Sequence, residues 1–433
     1  MNFIPNILFA ITLIIGVGFF VKNVKSLIRN INLGKAIDVS DNKKQRWKNM
    51  AMIALGQSKM VRRPIAGFLH VIVYVGFIII NIEVLEIIID GLFGTHRIFS
   101  GIGSLYGFLI ASFEILAILV IFAVVVFWIR RNIIKLKRFW NPEMTSWPKN
   151  DANYILYFEM VLMSLFLIMN ATDVQFQVTN SGNIVSQFIE PLFSGVSESA
   201  LHIIERSAWW IHIIGILIFL NYLYYSKHLH ILLAFPNTYY GSLKPKGELD
   251  NLEAVTKEVM LMMDPNADPF AAPADDAEDP EKFGASDVMD LNWVQLLNAY
   301  TCTECGRCTS SCPASLTGKK LSPRKIMMDT RDRLEEVGKN IDKNKGTFVD
   351  DGKQLLNDYI SPEELWACTT CNACVEECPV SISPLSIILD MRRYLVMEQS
   401  AAPSELNNMM TNIENNGAPW PYNQMDRLNW KDE

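Results

Sequence analysis

The first 235 residues alternate long apolar runs with short polar ones, and the rest of the chain does not. Five stretches are long and apolar enough to cross about 30 Å of hydrocarbon as helices: 3–21, 67–89, 105–129, 154–171 and 209–225. No charged segment precedes Phe3 and no small-residue cleavage pattern follows the first run, so that run is expected to stay as an anchor. These spans make residues 1–240 a membrane domain. Residues 241–290 read as an acidic linker, a tether or a wrap on a partner, in which Pro265, Pro269, Pro273 and Pro280 break any long helix. A cysteine-containing domain follows over 291–399, and a tail over 400–433. Asp287–Ala299 has the mixed apolar spacing of a helix, and no alternating strand pattern appears after it, so the expected class is all-α.

Loop charge gives an orientation. Residues 22–63 carry eleven Lys/Arg and 130–149 carry six, against one each in 91–104 and 173–206. The basic loops belong on the cytoplasmic side. The N-terminus is then outside, and five spans put everything after residue 225 in the cytoplasm of a bacterial or archaeal inner membrane. Net charge is −7 with no basic patch beyond the membrane flanks, which argues against nucleic acid as a partner. Gly101-Ile102-Gly103 lies in an outer loop without a flanking strand, so it is not a dinucleotide site. Five spans also lack the inverted repeat of a transporter.

All eight cysteines fall between Cys302 and Cys378 in two tight groups, a spacing for metal rather than disulfides. Cys302, Cys305, Cys308 and Cys312-Pro313 read C-x2-C-x2-C-x3-C-P, and Cys368, Cys371, Cys374 and Cys378-Pro379 repeat it. In this pattern three cysteines hold one cluster and the fourth reaches the other. One [4Fe-4S] cluster is therefore assigned to Cys302, Cys305, Cys308 and Cys378, the second to Cys368, Cys371, Cys374 and Cys312. Zinc would call for paired C-x2-C or Cys/His mixtures.

All six histidines lie in the membrane half. His212 and His230 are 18 residues apart, five whole helical turns, and one continuous helix would present both on the same face about 27 Å apart. His70 lies at the depth of His230 on the oppositely running second span, so the two could clamp a haem iron. His228 lies beside His230 on the cytoplasmic flank. Within the spans, Glu83 and Glu86, with Asp90, share a face of the second helix, and Glu114 and Glu159 interrupt the third and fourth. Carboxylates are costly in lipid and should face the bundle interior, where they could form a proton path.

Trp209-Trp210-Ile211-His212 and Ser226-Lys227-His228-Leu229-His230 resemble the last span of the gamma subunit of respiratory nitrate reductase and of the membrane subunits of heterodisulfide reductase. The resemblance implies a five-helix dihaem cytochrome b, with ligands at His212 and His230 and two more ten residues apart on the second helix. His70 matches the first of these. Ile80 stands at the second and cannot ligate iron, so the haem of His212 lacks its partner, and His96 in the outer loop is the expected substitute. One or two haems b are therefore implied.

Leu291–Pro313 and Ser361–Cys371 resemble the α-helical ferredoxin domain of heterodisulfide-reductase-like iron–sulfur oxidoreductases. That family often continues into a domain with duplicated cysteine-rich CCG motifs, and this chain has no cysteine after Cys378, so a separate CCG-type subunit is an implied partner. The two resemblances together imply a quinone-linked oxidoreductase subunit of a larger complex. It would join a soluble flavoprotein, such as electron-transferring flavoprotein or a dehydrogenase, or a disulfide substrate, to menaquinone or ubiquinone. The alternative is a membrane-anchored ferredoxin that docks redox partners without quinone chemistry.

Overall fold

In the computed structural model, which describes residues 3–179, 181–265 and 282–432, every regular element is helical. Among the described residues the only ladder pairings are two isolated bridges, Lys35 with Asn292 and Leu356 with Ile360. Five helices are long and apolar enough to span a membrane: α1 (Ile4–Ile31), α2 (Pro64–Phe93), α3 (Ser104–Asn132), α4 (Trp147–Thr172) and α5 (Glu198–Tyr222, continued by a 3-10 turn to Tyr225).

Local signals fix several of their ends. Pro64 opens α2 at a position where no N–H is needed, and Gly94 closes it in the left-handed region at φ +72°. Ser197 caps α5 by accepting the N–H of Ala200. The fifth span thus starts eleven residues earlier than the apolar run at 209, because the amphipathic turn from Glu198 continues into it without a break.

The main helix contacts run α1–α2–α3–α4–α5 and back to α1, a closed ring. Close approach is built in: a Cβ on Gly76 would lie 2.7 Å from Val120, and one on Gly215 would lie 2.8 Å from Leu162. Large apolar side chains on the outer face of the ring stay exposed, as lipid contact requires.

The chain does not run as one helix from His212 to His230. It leaves α5 at Tyr222, turns as 3-10 helix, extends at Ser226 (φ −114°, ψ 147°), turns again over Lys227–Leu229, and starts α6 (His230–Tyr239). The break has a physical cause. Asp151 on α4 accepts the Lys227 N–H at 3.1 Å and the Tyr222 hydroxyl at 2.6 Å, and Ser226 accepts the His228 N–H. The expectation of five unbroken turns is corrected accordingly.

The cysteine-containing half is built on α7 (Trp293–Thr301), α8 (Pro323–Lys343) and α9 (Pro384–Met397), joined by short turns. Asp287–Ala299 is not one helix: a 3-10 turn, Val288–Asp290, precedes an extended Leu291-Asn292, and Asn292 then caps α7. Much of the linker reading falls on residues 266–281, outside the described residues; the part before it includes a helix, Glu253–Met263.

This half is fastened to one end of the bundle. Asn30 at the end of α1 donates to the Tyr300 hydroxyl at 2.9 Å and packs against Gly338, where a Cβ would come within 2.5 Å of it. Fully buried Arg324 on α8 pairs with Glu143 in the loop between α3 and α4 at 2.6 Å. Arg63 reaches Glu377 at 2.9 Å, and Asn237 donates to the Val380 carbonyl at 2.8 Å.

Candidate functional site

The two cysteine motifs wrap in the same way. The residues just before and just after the second cysteine of each motif, Glu304 and Gly306 in one and Thr370 and Asn372 in the other, all have positive φ, between 52° and 71°. At Gly306 the requirement is also steric, since a Cβ would lie 2.5 Å from Arg324. The turns bring Cys378 to Cys302, Cys305 and Cys308 around one cavity, and Cys374 also borders it. Cys312 is the electrostatic neighbour of Cys368 and Cys374, with Cys371 beside them. The structure therefore groups the cysteines three plus one, with the fourth of each motif crossing to the other. Among the described residues no three His, Cys, Asp or Glu side chains converge on a single-ion site.

Burial pushes the Cys302 and Cys374 thiols up to about 12 and raises Cys308 and Cys378. Such thiols are neutral until a metal displaces their protons. Backbone N–H groups already point at sulfur: Thr370 to Cys368 at 3.4 Å and Ile382 to Cys378 at 3.3 Å. The donor set fits an iron–sulfur cluster, whose sulfurs take such bonds.

The cysteine motif does not single out Glu304, yet this side chain is buried between Cys302 and Cys305. Burial opposes its charge, but Lys227 and Arg331 outweigh it and hold the carboxyl below its usual range. Arg331 lies 2.8 Å away. In the sequence, the only hint of this is an acidic residue standing between two cysteines.

His70 and His230 face each other with ring centroids 6.4 Å apart and planes 40° apart. His230 Nδ1 lies 3.1 Å from the Lys227 carbonyl, leaving Nε2 free, and His70 has a buried ring nitrogen without a hydrogen-bond partner. With metal–nitrogen bonds of about 2 Å on each side, two imidazoles sharing one ion would have ring centres roughly 6 Å apart. The pair fits a haem iron. His228 packs beside His230 at 5.3 Å and on Phe219 at 5.5 Å; burial, then His230 and His70, keep its pKa well below the ordinary value, so it lines the pocket as a neutral ring.

His212 stands apart. It is buried, with Nδ1 3.0 Å from the Leu162 carbonyl and its ring on Phe166, and Ile80 sits in the same apolar core. His96 does not serve as its partner. The His96 Nε2 is 3.2 Å from Asp173, eleven residues beyond Leu162 along and just past α4, a displacement of about 16 Å. That is too far for the two rings to share an iron.

The space near the helix ends away from the cysteine-containing half holds a polar network instead. Arg97 donates to Asp173 at 2.9 Å, to Asn170 at 2.9 Å and to the Tyr106 hydroxyl at 3.2 Å, and Tyr106 donates to Glu86 at 3.0 Å. Glu114 accepts from Asn170 and from the Val185 and Ser186 N–H groups. Asp90 caps the outer loop through the N–H groups of Arg97 and Ile98. Glu83 is buried with one carboxyl oxygen unpartnered, and Glu159 has no hydrogen-bond partner among the described residues.

Comparison with known proteins finds a match over the cysteine-containing segment. Residues 301–382 match the family described as 4Fe-4S dicluster domain. The chain is 29% identical to a probable iron-sulfur-binding oxidoreductase FadF of Bacillus subtilis, over 99% of this chain and 61% of that protein. It is 25% identical to an EtfAB:quinone oxidoreductase of Syntrophomonas wolfei, over 91% of this chain and 55% of that protein. One component of a CoB-CoM heterodisulfide reductase of Methanosarcina acetivorans is 33% identical over 28% of this chain and 60% of its own. The chain thus spans little more than half the length of the first two relatives. No solved structure matches it. Its relatives are iron–sulfur oxidoreductases, and the protein is an all-α chain with five apolar helices and a C-terminal 4Fe-4S dicluster domain.

Proposed function

We propose that the protein passes electrons between a soluble redox partner and the quinone pool of the membrane it spans. Two [4Fe-4S] clusters, one on Cys302, Cys305, Cys308 and Cys378 and one on Cys368, Cys371, Cys374 and Cys312, with one haem b on His70 and His230, would supply the one-electron chemistry when bound. The observation that carries the reading is the His70–His230 pair at the end of the bundle to which the cysteine sets are fastened. A donor set inside the membrane domain gives electrons a route from cysteine-bound iron into the bilayer.

The protein's own residues bind and orient. The Lys227 carbonyl fixes the His230 ring, Glu304 is locked by Lys227 and Arg331, and Arg324 holds the first cysteine loop to the membrane loop through Glu143. Of the four carboxylates that could form a proton path, Glu114 is saturated by three donors and acts as a brace. Glu83, with its free oxygen, and Glu86 beside it are the pair able to exchange protons with a reduced quinone; Glu159 lies apart on α4.

The loop charges favour cysteine sets in the cytoplasm of a bacterial or archaeal inner membrane with the N-terminus outside. Similarity to an EtfAB:quinone oxidoreductase favours a flavoprotein as soluble partner, with menaquinone or ubiquinone at the membrane end. Similarity to heterodisulfide reductase components favours a CCG-type subunit in a larger complex.

The test is a dithionite-reduced minus oxidised spectrum of the detergent-purified protein, with a pyridine haemochrome count and an iron assay. One haem b and about eight non-haem irons are expected, with reoxidation by a short-chain quinone. Iron without haem would leave the membrane-anchored ferredoxin.

A further inference from the structure

At the end of the bundle nearest the cysteines, α2 and α3 enclose a cleft of about 400 Å³ that the redox reading does not use. Arg63, Arg130, Lys137 and Arg138 line it, together with Ile65 and Ala66 in the first turn of α2. Three features bear on what it could hold.

The first is charge. Arg63 is paired with Glu377, but among the described residues Arg130, Lys137 and Arg138 have no carboxylate within ion-pair distance. Arg138 rests on the Phe139 ring at 4.8 Å, and its Nε is buried without a hydrogen-bond partner. Burial, and then Arg63, Arg307 and Arg130, depress its pKa, with Cys305 opposing.

The second is the helix start. Arg63 makes no side-chain cap, Pro64 has no N–H, and the Ile65 and Ala66 N–H groups find no acceptor among the described residues. Such amides attract anions, and here they open into the same cleft as the four cations.

The third is what adjoins the cleft. Ile65 and Phe68 in the first turns of α2 and Ile133 and Ile134 just past the end of α3 are 59% to 66% exposed, so large apolar side chains flank the cationic cradle on both helices. A free phosphate would use only the cradle. A molecule with a phosphate and acyl chains would use both.

We propose that this cleft binds the headgroup phosphate of one anionic phospholipid, with its acyl chains along Phe68 and Ile133–Ile134. The phosphate lies among Arg130, Lys137 and Arg138 and accepts from the first-turn amides of α2. Arg63 also bonds Glu377 in the second cysteine motif, next to Cys378, the residue that crosses to the first set, so the lipid site adjoins that crossing.

The experiment uses the full chain with its metal content intact. The protein is equilibrated in nanodiscs of phosphatidylcholine doped with phosphatidylglycerol, released into detergent, and examined by native mass spectrometry. One retained phosphatidylglycerol per chain is expected. An Arg130→Gln/Lys137→Gln double variant should retain about thirtyfold less, at unchanged iron content, and the charge-conserving Arg130→Lys/Lys137→Arg variant should retain it. Equal retention of phosphatidylcholine, or undiminished retention by the glutamine variant, overturns the proposal. Displacement of the lipid by excess inorganic phosphate would make the cleft a free-anion site and also overturn it. Lipid retention is read without haem or activity, so loss of the redox reading would leave this result standing.

Discussion

Lys227 and Glu304 form a buried ion pair across the junction between the membrane bundle and the cysteine-containing half. The same Lys227 offers its carbonyl to His230 Nδ1, and Glu304 lies between Cys302 and Cys305. One residue therefore joins the loop of the first cysteine set, through its ammonium, to the histidine of the candidate haem site, through its backbone carbonyl.

Replacing Lys227 by Met keeps the stem and removes the charge. Glu304 would then be balanced by Arg331 alone, a partly uncompensated buried carboxylate, at a cost of about 3 kcal/mol. The added negative potential favours the oxidised form of a cluster held by Cys302, Cys305, Cys308 and Cys378, so its midpoint potential should fall. An EPR-monitored redox titration reads the shift and a denaturation curve reads the stability. Unchanged potential and stability together would remove Lys227 from the junction.

The histidines separate into two groups with different spectra. His70→Ala or His230→Ala should abolish the reduced haem b band, since each removes one of the two facing rings. His212→Ala should leave the band at full intensity. It should instead cost about 1–3 kcal/mol, because it empties a packed site against Phe166 and leaves the Leu162 carbonyl without its partner. A haemochrome count per polypeptide distinguishes these outcomes, and loss of haem in the His212 variant would restore a second haem.

Much of this architecture is legible in the chain itself, because hydrophobic runs and cysteine spacing are local signals. Each of the five apolar runs falls on a helix long and apolar enough to cross a membrane. The three-plus-one crossing of the cysteines follows from motif spacing, and the structure brings the same residues together. The break at Ser226 is not legible. It is made by Asp151, about 75 residues earlier, and no periodicity within the last span records that contact. His96 misleads for a related reason. A lone outer histidine suggests a ligand, but its partner Asp173 is fixed by the fold of the loop around Arg97. Glu304 and Lys227 are ordinary charged residues in sequence, and only the docking of the two halves buries them together.

The crossing of the cysteines makes a sharp genetic prediction. Cys378→Ala lies in the second motif, yet it should reduce the same cluster signal as Cys302→Ala, while Cys312→Ala should reduce the signal lost in Cys368→Ala. In each single variant iron should fall from about eight toward about four per chain if the damaged cluster is lost. EPR spectra of the four reduced proteins decide it. Signals that pair Cys378 with Cys368 would contradict the grouping.

The outer network should show its contribution as a pH dependence. Burial opposes the charge on Asp173, but His96 and Arg97 prevail and hold its carboxyl well below the ordinary range. Arg97 is held above its own range for the reciprocal reason: burial lowers it, and Tyr106, Glu83 and Asp173 outweigh that loss. A carboxyl with a depressed folded-state pKa stabilises the protein fully above its unfolded value of about 3.9, and that contribution fades as pH falls through the folded value. Asp173→Asn leaves Arg97 buried with one fewer counter-charge, at a cost of about 3 kcal/mol. Measured in a His96→Gln background, which removes the titratable ring beside Asp173, the gap in stability between the proteins without and with Asp173→Asn should be flat from about pH 5 to 8 and should narrow only below about pH 4. Denaturation curves in detergent across this range measure it. In that background a gap that widens on acidification would mean that Asp173 is bound more tightly in its protonated form, opposite to the geometry of Arg97 beside it.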